Sequence, residues 1–285
     1  MSKLSPTLKA LVNAPFARPS YSPAPAHIRS VYEAIKNEAT AKDVGTNAWV
    51  TISTAVTMTM NSPESLAELH KLASKPNDNA QSIQIAELMR EAGLKCISFN
   101  GIPRTINCLG EFRARLPSEV YDGMRKTATR QITTENLNEA TARGRGVWKS
   151  IYTPFQDKLL DKLHQSHPDL PVYILNSHYA TILSDPPGQQ VPGAKVGRVL
   201  TSLVGISCLR AQTGVGPQVI SHLFGLRKAL EDGTFKAQGE EEVKGVEWLA
   251  SDEGNIWLLK SVDSIVDAIG SGQGTSFAPG LRAKL

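Results

Sequence analysis

Apolar residues recur every three or four positions along most of this chain, which is the spacing that predicts amphipathic helices. Ile83, Ala86 and Met89, for example, lie one turn apart, and Gly93 follows as a helix stop. Proline opens several of these segments, as it does at the first position of many helices. The pattern predicts helices over residues 28–44, 80–92, 134–142, 154–165, 171–183, 194–212, 217–231, 240–251 and 255–269, one that starts at Ser62 and Pro63, and one from Pro103 that ends before Pro117.

Residues 49–60 depart from this pattern because they include β-branched residues such as Val50, Ile52 and Val56. Such residues favour strands. No other segment offers this one a strand to pair with, so a buried helix is the better interpretation. The chain is therefore predicted to be all-α.

The clearest change of pattern inside the body covers residues 113–130, where charges of both signs are mixed with Pro117 and Gly123. This stretch is the best place to divide the body. We expect a basic, proline-rich and disordered leader at 1–30, an N-terminal helical half at 31–116, a C-terminal helical half at 117–269, and a flexible tail at 270–285.

The two halves share an order of features. In residues 50–73 a helix of small residues leads through a proline turn to a helix that carries His70, and residues 199–230 repeat this order with His222. Two pseudo-repeated helical halves would explain the similarity. Unrelated helical hairpins that look alike by chance would explain it as well.

Composition and charge exclude several classes of protein. The 285 residues are 41% apolar and 20% charged, as in an ordinary globular protein, and no run of about 18 apolar residues is present to cross a membrane. The net charge of +4 lies in the leader, because residues 1–32 contain Lys3, Lys9, Arg18 and Arg29 and no acidic residue. The rest of the chain is neutral, so a nucleic acid is not an expected partner.

Both ends of the chain have features of targeting signals. The leader is basic and acid-free like a mitochondrial presequence, but its recurring prolines favour an extended chain over a helix. The sequence stops at Ala283, Lys284 and Leu285, a close variant of the Ser-Lys-Leu that the peroxisomal import receptor binds. We therefore expect a protein of the peroxisomal matrix with this receptor as partner, and the mitochondrion is the alternative.

The three cysteines, Cys96, Cys108 and Cys208, are odd in number and far apart, which suits a reducing compartment. The sequence has no C-x-x-C and no Cys and His at zinc-finger spacing, so no metal site is expected. Each cysteine is expected to be a small buried apolar residue.

The segment 217–231 carries the first candidate for chemistry. His222 shares a helix face with Gln218, Gly225 and Ala229, so small residues leave room there for a neighbouring helix or a ligand. One interpretation makes His222 a general acid or base held by Gln218. The other is a helix-packing site with a hydrogen-bonded histidine.

A second candidate is the segment from Asn100 to Asn107. Pro103 at a helix start leaves nearby backbone N–H groups unpaired, and Arg104 adds a planar cation, so this end could hold a carboxylate. The alternative is that Arg104 pairs with a surface acid such as Glu111. With His222 as the proton-transfer group, Tyr179 and Asn107 would be donors to an oxyanion, Asn100 would contact the substrate, and a lactone acid or enol acid would suit the set.

Three segments occur in a recognisable order. They are the Gly-Ile-Pro-Arg turn that ends at Arg104, the stretch with His178 and Tyr179, and the small-residue run 198–206 followed by a Gln-x-x-x-His that ends at His222. In this order they resemble the carboxymuconolactone decarboxylase-like family, and most of all its fungal peroxisomal members, over about residues 49–233. The resemblance implies the alkylhydroperoxidase D-like all-helical fold and a tendency to form homo-oligomers.

The chain also departs from this family. The peroxidase branch carries C-x-x-C four residues before the histidine, and the corresponding positions here are Val215 and Gln218. Neither the attacking nor the resolving sulfur of that dithiol is therefore present. Cys96 and Cys108 flank the Gly-Ile-Pro-Arg turn and could replace the pair only if their α-carbons lay within about 7 Å.

These observations lead to two possible functions of different classes, and a further possible function ranks third. The first is a cofactor-free enzyme that performs acid–base chemistry on a small carboxylated metabolite in the peroxisome. The second is a non-catalytic helical oligomer that serves as a binding or scaffold protein. The third is a thiol-dependent peroxidase. The surroundings of His222 discriminate between them, because fold alone does not fix function.

Overall fold

The structure is a computed structural model that describes residues 3–186, 191–275 and 277. The predicted all-α class is confirmed, and no β-strand occurs among these residues. The α-helices are α1 (Pro6–Val12), α2 (Ile28–Ala41), α3 (Thr46–Thr59), α4 (Pro63–Ala73), α5 (Asn79–Lys95), α6 (Ile97–Asn100), α7 (Ile102–Arg115), α8 (Ser118–Gly123), α9 (Leu137–Tyr152), α10 (Gln156–Ser166), α11 (Leu170–Tyr173), α12 (Arg198–Gln212), α13 (Gly216–Glu231), α14 (Val246–Leu249) and α15 (Asp252–Gly270). A π-helix, Ile174–Leu183, continues α11, and short 3₁₀ turns occupy Pro15–Ala17 and Thr234–Lys236.

Helices α3 and α12 form the centre of the molecule and pack against each other. Both are buried on nearly all sides, which explains why their sequences lack a polar face. The buried hydroxyls of α3 are satisfied in part within the helix, since Thr57 and Thr59 donate to the carbonyls of Ser53 and Ala55 at 2.7 and 2.8 Å. The interpretation of residues 49–60 as a buried helix is confirmed, because burial outweighs their strand propensity.

A smaller apolar cluster joins α9 to the π-helix and includes Trp148, Ile151 and Tyr179. Gly144 permits this contact, because a Cβ there would lie 2.5 Å from the backbone nitrogen of Ala180. Helix α13 packs on both α9 and α12. The end of α9 and one face of α13 are thereby held together beside the π-helix.

Several helix bounds differ from the prediction for identifiable reasons. The helix predicted over 134–142 runs from Leu137 to Tyr152, because Gly144 is a helix-packing position and not a break. The helix predicted over 194–212 begins only at Arg198, since the carbonyl of Val196 binds the Lys95 ammonium.

The helix predicted over 240–251 is reduced to α14. Its acidic run has a different role: the Glu240 carboxylate accepts a hydrogen bond from the backbone N–H of Arg198, and Glu241 accepts one from Gly193. Negative charge is favourable at the start of α12, where backbone N–H groups are unpaired. Glu240 therefore accepts at the start of α12, and Glu241 holds the segment that precedes this helix.

Lys95 connects α5 to the segment that precedes α12. Its side chain is fully buried, and the ammonium donates to the carbonyls of Leu183 and Val196 at 2.7 and 2.5 Å and to the Thr201 hydroxyl at 2.9 Å. It also pairs with Asp185 at 3.0 Å. One buried cation thus joins the end of the π-helix, the following segment and α12.

The leader is partly attached to the body. Helix α1 has no buried residue. From Ser22 onward the chain follows α4, since Ser22 N–H donates to the carbonyl of Asn61 at 2.8 Å and Ala24 N–H donates to the Glu64 carboxylate at 3.1 Å. Ala283, Lys284 and Leu285 lie outside the described residues, and none of the described helices is long and apolar enough to span a bilayer.

The order of small-residue helix, proline-containing helix start and histidine-bearing helix is present twice, in α3–α4 and in α12–α13. Both histidines are buried and contact a phenylalanine edge to face: His70 contacts Phe112 at 5.9 Å and His222 contacts Phe99 at 5.8 Å between ring centroids. The hydrogen-bond partners of the two histidines differ, since His70 bonds Ser82 and Ser74 whereas His222 lies near the Tyr152 hydroxyl.

Candidate functional site

His222 lies on α13 with its ring against α12 and is only 4% exposed. A Cβ at Gly205 of α12 would lie 2.8 Å from the ring nitrogen Nδ1, so only glycine fits opposite the imidazole. The small residue that the sequence places before the histidine helix therefore makes room for the histidine itself.

Two tyrosines connect His222 to the π-helix. The Tyr179 hydroxyl donates to the Tyr152 hydroxyl at 3.2 Å, and the latter lies 3.5 Å from His222 Nε2, at the outer limit of a hydrogen bond. Trp148 packs on both tyrosine rings, with centroid distances of 4.2 and 5.0 Å. Residues of α9, the π-helix and α13 thus form one buried chain of polar groups. The presence of a π-helix is itself suggestive, because π-helical segments frequently occur at functional sites.

Arg198 supplies a buried positive charge to the same region. Its guanidinium donates to the hydroxyl and carbonyl of Ser150 at 2.8 and 2.9 Å, to the Ser202 hydroxyl at 2.6 Å and to the carbonyl of Gly225 at 2.7 Å. No described carboxylate forms an ion pair with it. Burial lowers the pKa of Arg198 to about 10, which leaves it cationic at neutral pH.

These surroundings set the charge states of the site. Burial, and then the charge of Arg198, lower the pKa of His222 to about 4, so the imidazole is neutral at physiological pH. Its Nδ1 has no hydrogen-bond partner among the described residues. Burial raises the pKa of both Tyr152 and Tyr179, so both remain protonated donors. The site therefore combines a neutral base, two phenols and a fixed cation.

Of the residues that the sequence singles out, His222 and Tyr179 come together here, through Tyr152. Arg104 lies elsewhere: its guanidinium donates to the carbonyl of Thr59 and stacks on Phe277 at 3.9 Å. The alternative pairing of Arg104 with Glu111 is not formed, because Glu111 pairs with Arg115. Neither Arg104 nor His222 lines the cavity that borders His70 or the cavity that borders Tyr152.

The remaining predicted residues are also dispersed. Asn100 is buried and its side-chain oxygen accepts from Thr59 at 3.1 Å and from Gln212 at 3.4 Å, one residue beyond the Phe99 that touches His222. Asn107 is exposed on α7. Gln218 is exposed as well, and it forms no hydrogen bond with His222.

Tyr152 and Arg198 were not predicted as site residues from the sequence. Tyr152 carried no signal, because the helix that contains it was predicted to end ten residues earlier. Arg198 did carry one: it opens a run of small and apolar residues, and Ser202 follows four positions later. A charged residue at the head of a buried helix indicates a paired or functional group.

The cysteines do not form the pair considered from the sequence. The Cys96 sulfur lies 3.6 Å from that of Cys208, while Cys108 lies near the carbonyl of Met58. All three are free and buried. Burial raises the pKa of Cys108 to about 12 and that of Cys96 well above its usual value, so both are unreactive thiols at neutral pH.

His70, the counterpart of His222, has ordinary structural partners. Its Nε2 lies 2.9 Å from the carbonyl of Ser82 and 3.3 Å from the Ser74 hydroxyl. It borders a surface cavity of about 450 Å³. In the part of the chain that the structure describes, no group of three His, Cys, Asp or Glu side chains could hold a metal ion.

A larger cavity lies next to the His222 cluster. It has a volume of about 700 Å³, and Tyr152, the residue between Tyr179 and His222, lines it. Residues from the end of α9, from α10 and from the exposed side of α13 complete its wall. Tyr152 is therefore the link between the cavity and the buried polar chain.

Comparison with known proteins gives a match to a curated relative, while no family model and no solved structure matches. Peroxisomal protein 2 of Schizosaccharomyces pombe is 31% identical over 150 residues. These residues are 53% of this chain and 62% of the relative, so the match spans less than two thirds of the relative. The relative's name supports the peroxisomal location expected from the sequence, and nothing in the match supports the mitochondrial alternative.

Proposed function

We propose that this protein is a peroxisomal member of the carboxymuconolactone decarboxylase-like family, with the alkylhydroperoxidase D-like fold. In this proposal it performs cofactor-free acid–base chemistry on a small carboxylated metabolite. The observation that carries the proposal is the buried chain from Tyr179 through Tyr152 to a neutral His222 beside Arg198. The packing of a small-residue helix, α12, on the histidine-bearing α13 supports the family.

Proton transfer would run through Tyr152. Because Tyr152 accepts a hydrogen bond from Tyr179, its own hydroxyl proton is free to pass to His222 Nε2. A proton taken from the substrate by the Tyr152 oxygen is then balanced by the proton given to the imidazole. The charge of Arg198 disfavours the resulting imidazolium of His222. This imidazolium is therefore a strong acid that returns its proton readily.

A carboxylated substrate suits this arrangement electrostatically. Burial and Arg198 hold the pKa of His222 at about 4, which is low for a base at neutral pH. A substrate anion near the cluster would favour the imidazolium and raise this pKa towards the working pH. The base would therefore become effective when the anion is bound.

The chemistry is tested by replacing each of the two buried histidines. We expect His222→Gln to lower turnover of a panel of lactone acids and enol acids by about 100-fold or more, because it removes the proton acceptor. His70→Gln is the matched control, since His70 is equally buried but, among the described residues, forms hydrogen bonds only with Ser82 and Ser74. Proton uptake and product formation are measured on folded protein, and equal turnover in the two variants would exclude the role of His222.

We further propose that the peroxisomal import receptor binds Ala283, Lys284 and Leu285. A fluorescent fusion of the whole chain, with the fluorophore at the N-terminus, is expected to form peroxisomal puncta. The same fusion without Leu285 is expected to become diffuse. Puncta that persist without Leu285 would show that another segment directs import.

A non-catalytic binding protein is the second candidate, and one observation favours it. Ile220 and Phe224 are 54% and 64% exposed, one turn apart on α13, while His222 is almost sealed. Such a face is typical of a contact with another protein or another copy of the chain. Two results would together favour this candidate. No acid of the panel would be turned over, and the Ile220→Asp variant would have a lower mass than the wild type in analytical ultracentrifugation. The buried thiols give the third candidate, a peroxidase, no support.

A further inference from the structure

The cavity next to Tyr152 has an apolar wall that is open to solvent. Its volume of about 700 Å³ lies in the range of small-molecule sites. Ile151 and Leu159 line it, and two further lining side chains, the aromatic Phe155 and Phe224, are 68% and 64% exposed. Two large exposed rings that line one cavity leave apolar surface for a ligand to cover.

The charged groups of the cavity are mostly positive. They are Lys158, Lys162, Arg227, Lys228 and Glu231. Arg227 and Lys228 already form ion pairs with aspartates of the surrounding surface. Lys158 and Lys162, one turn apart on α10, form no ion pair with any described residue. Two cations beside an apolar wall complement a ligand with an anionic head and an apolar body.

We infer that this cavity binds an amphipathic monocarboxylate, with the carboxylate at Lys158 and Lys162 and the hydrocarbon chain on the wall that includes Phe155 and Phe224. The inference deepens the proposed function, on which it rests for its link to catalysis, by naming the class of substrate that reaches Tyr152. Compact, highly polar acids would leave the aromatic wall in water and bind more weakly.

Equilibrium binding of unreactive probes tests the inference on the full-length protein. We expect octanoate to bind saturably in isothermal titration calorimetry and about tenfold more tightly than 1-octanol, which lacks the charge. Lengthening the probe from hexanoate to octanoate is expected to tighten binding by up to about fourfold per methylene, the equivalent of about 0.8 kcal/mol.

Two variants assign the binding to this cavity. The double variant Lys158→Met and Lys162→Met is expected to abolish the preference for octanoate over octanol. Phe224→Ser is expected to weaken both probes about tenfold, because a large ring is lost from the wall. Lys260→Met, at an exposed lysine of α15 outside the cavity, is the matched control and is expected to bind like the wild type.

The outcomes separate this inference from the proposed function. Octanoate binding that depends on Lys158, Lys162 and Phe224 supports the inference even if no acid is turned over. Turnover of compact acids without octanoate binding would overturn the inference and leave the proposed function standing. A Phe224→Ser variant that changes the mass of the protein while octanoate fails to bind would identify the cavity as a subunit contact, which also overturns the inference.

Discussion

Replacing Lys95 with methionine is expected to lower the free energy of unfolding by about 3–5 kcal/mol. The ammonium is fully buried and binds two carbonyls, one hydroxyl and the Asp185 carboxylate. Methionine keeps most of the side-chain volume, so the loss arises from acceptors left without a donor in a buried site. Urea unfolding at neutral pH measures this loss of unfolding free energy. The melting temperature is expected to fall by roughly 10 °C.

Lys195→Met is the matched control for this prediction. Lys195 also pairs with Asp185, at the longer distance of 3.7 Å, and is partly exposed. A partly exposed ion pair contributes about 1 kcal/mol or less. Comparable losses in the two variants would contradict the connecting role of Lys95 and would place the effect in Asp185 alone.

Acidification is expected to destabilise the protein partly through His222. Its pKa is about 4 in the folded protein, because burial and Arg198 oppose the imidazolium, against an ordinary value of about 6.5 in the unfolded chain. Between these two values the unfolded state binds more protons than the folded state. The contribution of His222 to the free energy of unfolding is therefore present in full above about pH 6.5. It is lost as the pH falls towards 4, by about 3 kcal/mol in total.

The contribution of His222 is isolated by comparing the wild type with His222→Gln. Urea unfolding of both proteins is measured at intervals from pH 7 to pH 4. Carboxylates and His70 titrate in both proteins, so their effects cancel in the difference between the two curves. The difference is expected to change by about 3 kcal/mol over this range, with the wild type losing more, and parallel curves would exclude a buried neutral His222.

The helical class and several helix starts could be predicted from sequence because they depend on local features. Spacing of apolar residues and proline at helix starts identified α4 and α13. Features that depend on a neighbour were missed. Gly144 resembles a helix break until the backbone of Ala180 is placed against it. The acids at Glu240 and Glu241 resemble a helix start until they are found at the segment before α12.

The candidate site also divides into features that depend on local sequence and features that depend on a neighbouring helix. His222 and Tyr179 were singled out, but Arg104, Gln218 and Asn107 were assigned to the same site and lie apart from it. Residue type and helix face are local, whereas partners are set by long-range packing. Tyr152 and His222 are 70 positions apart, and no spacing rule connects them.

The sequence by itself determined an all-α chain with a neutral body, a basic leader, a buried small-residue helix and a histidine on the helix that follows. Apolar periodicity, proline positions and charge distribution suffice for these features, because each acts within a few residues. The tertiary structure alone decided that Tyr152 and Arg198 surround His222, and that burial keeps its imidazole neutral. The pKa of a side chain depends on the desolvation and the charges around it, and both are fixed only when distant helices pack.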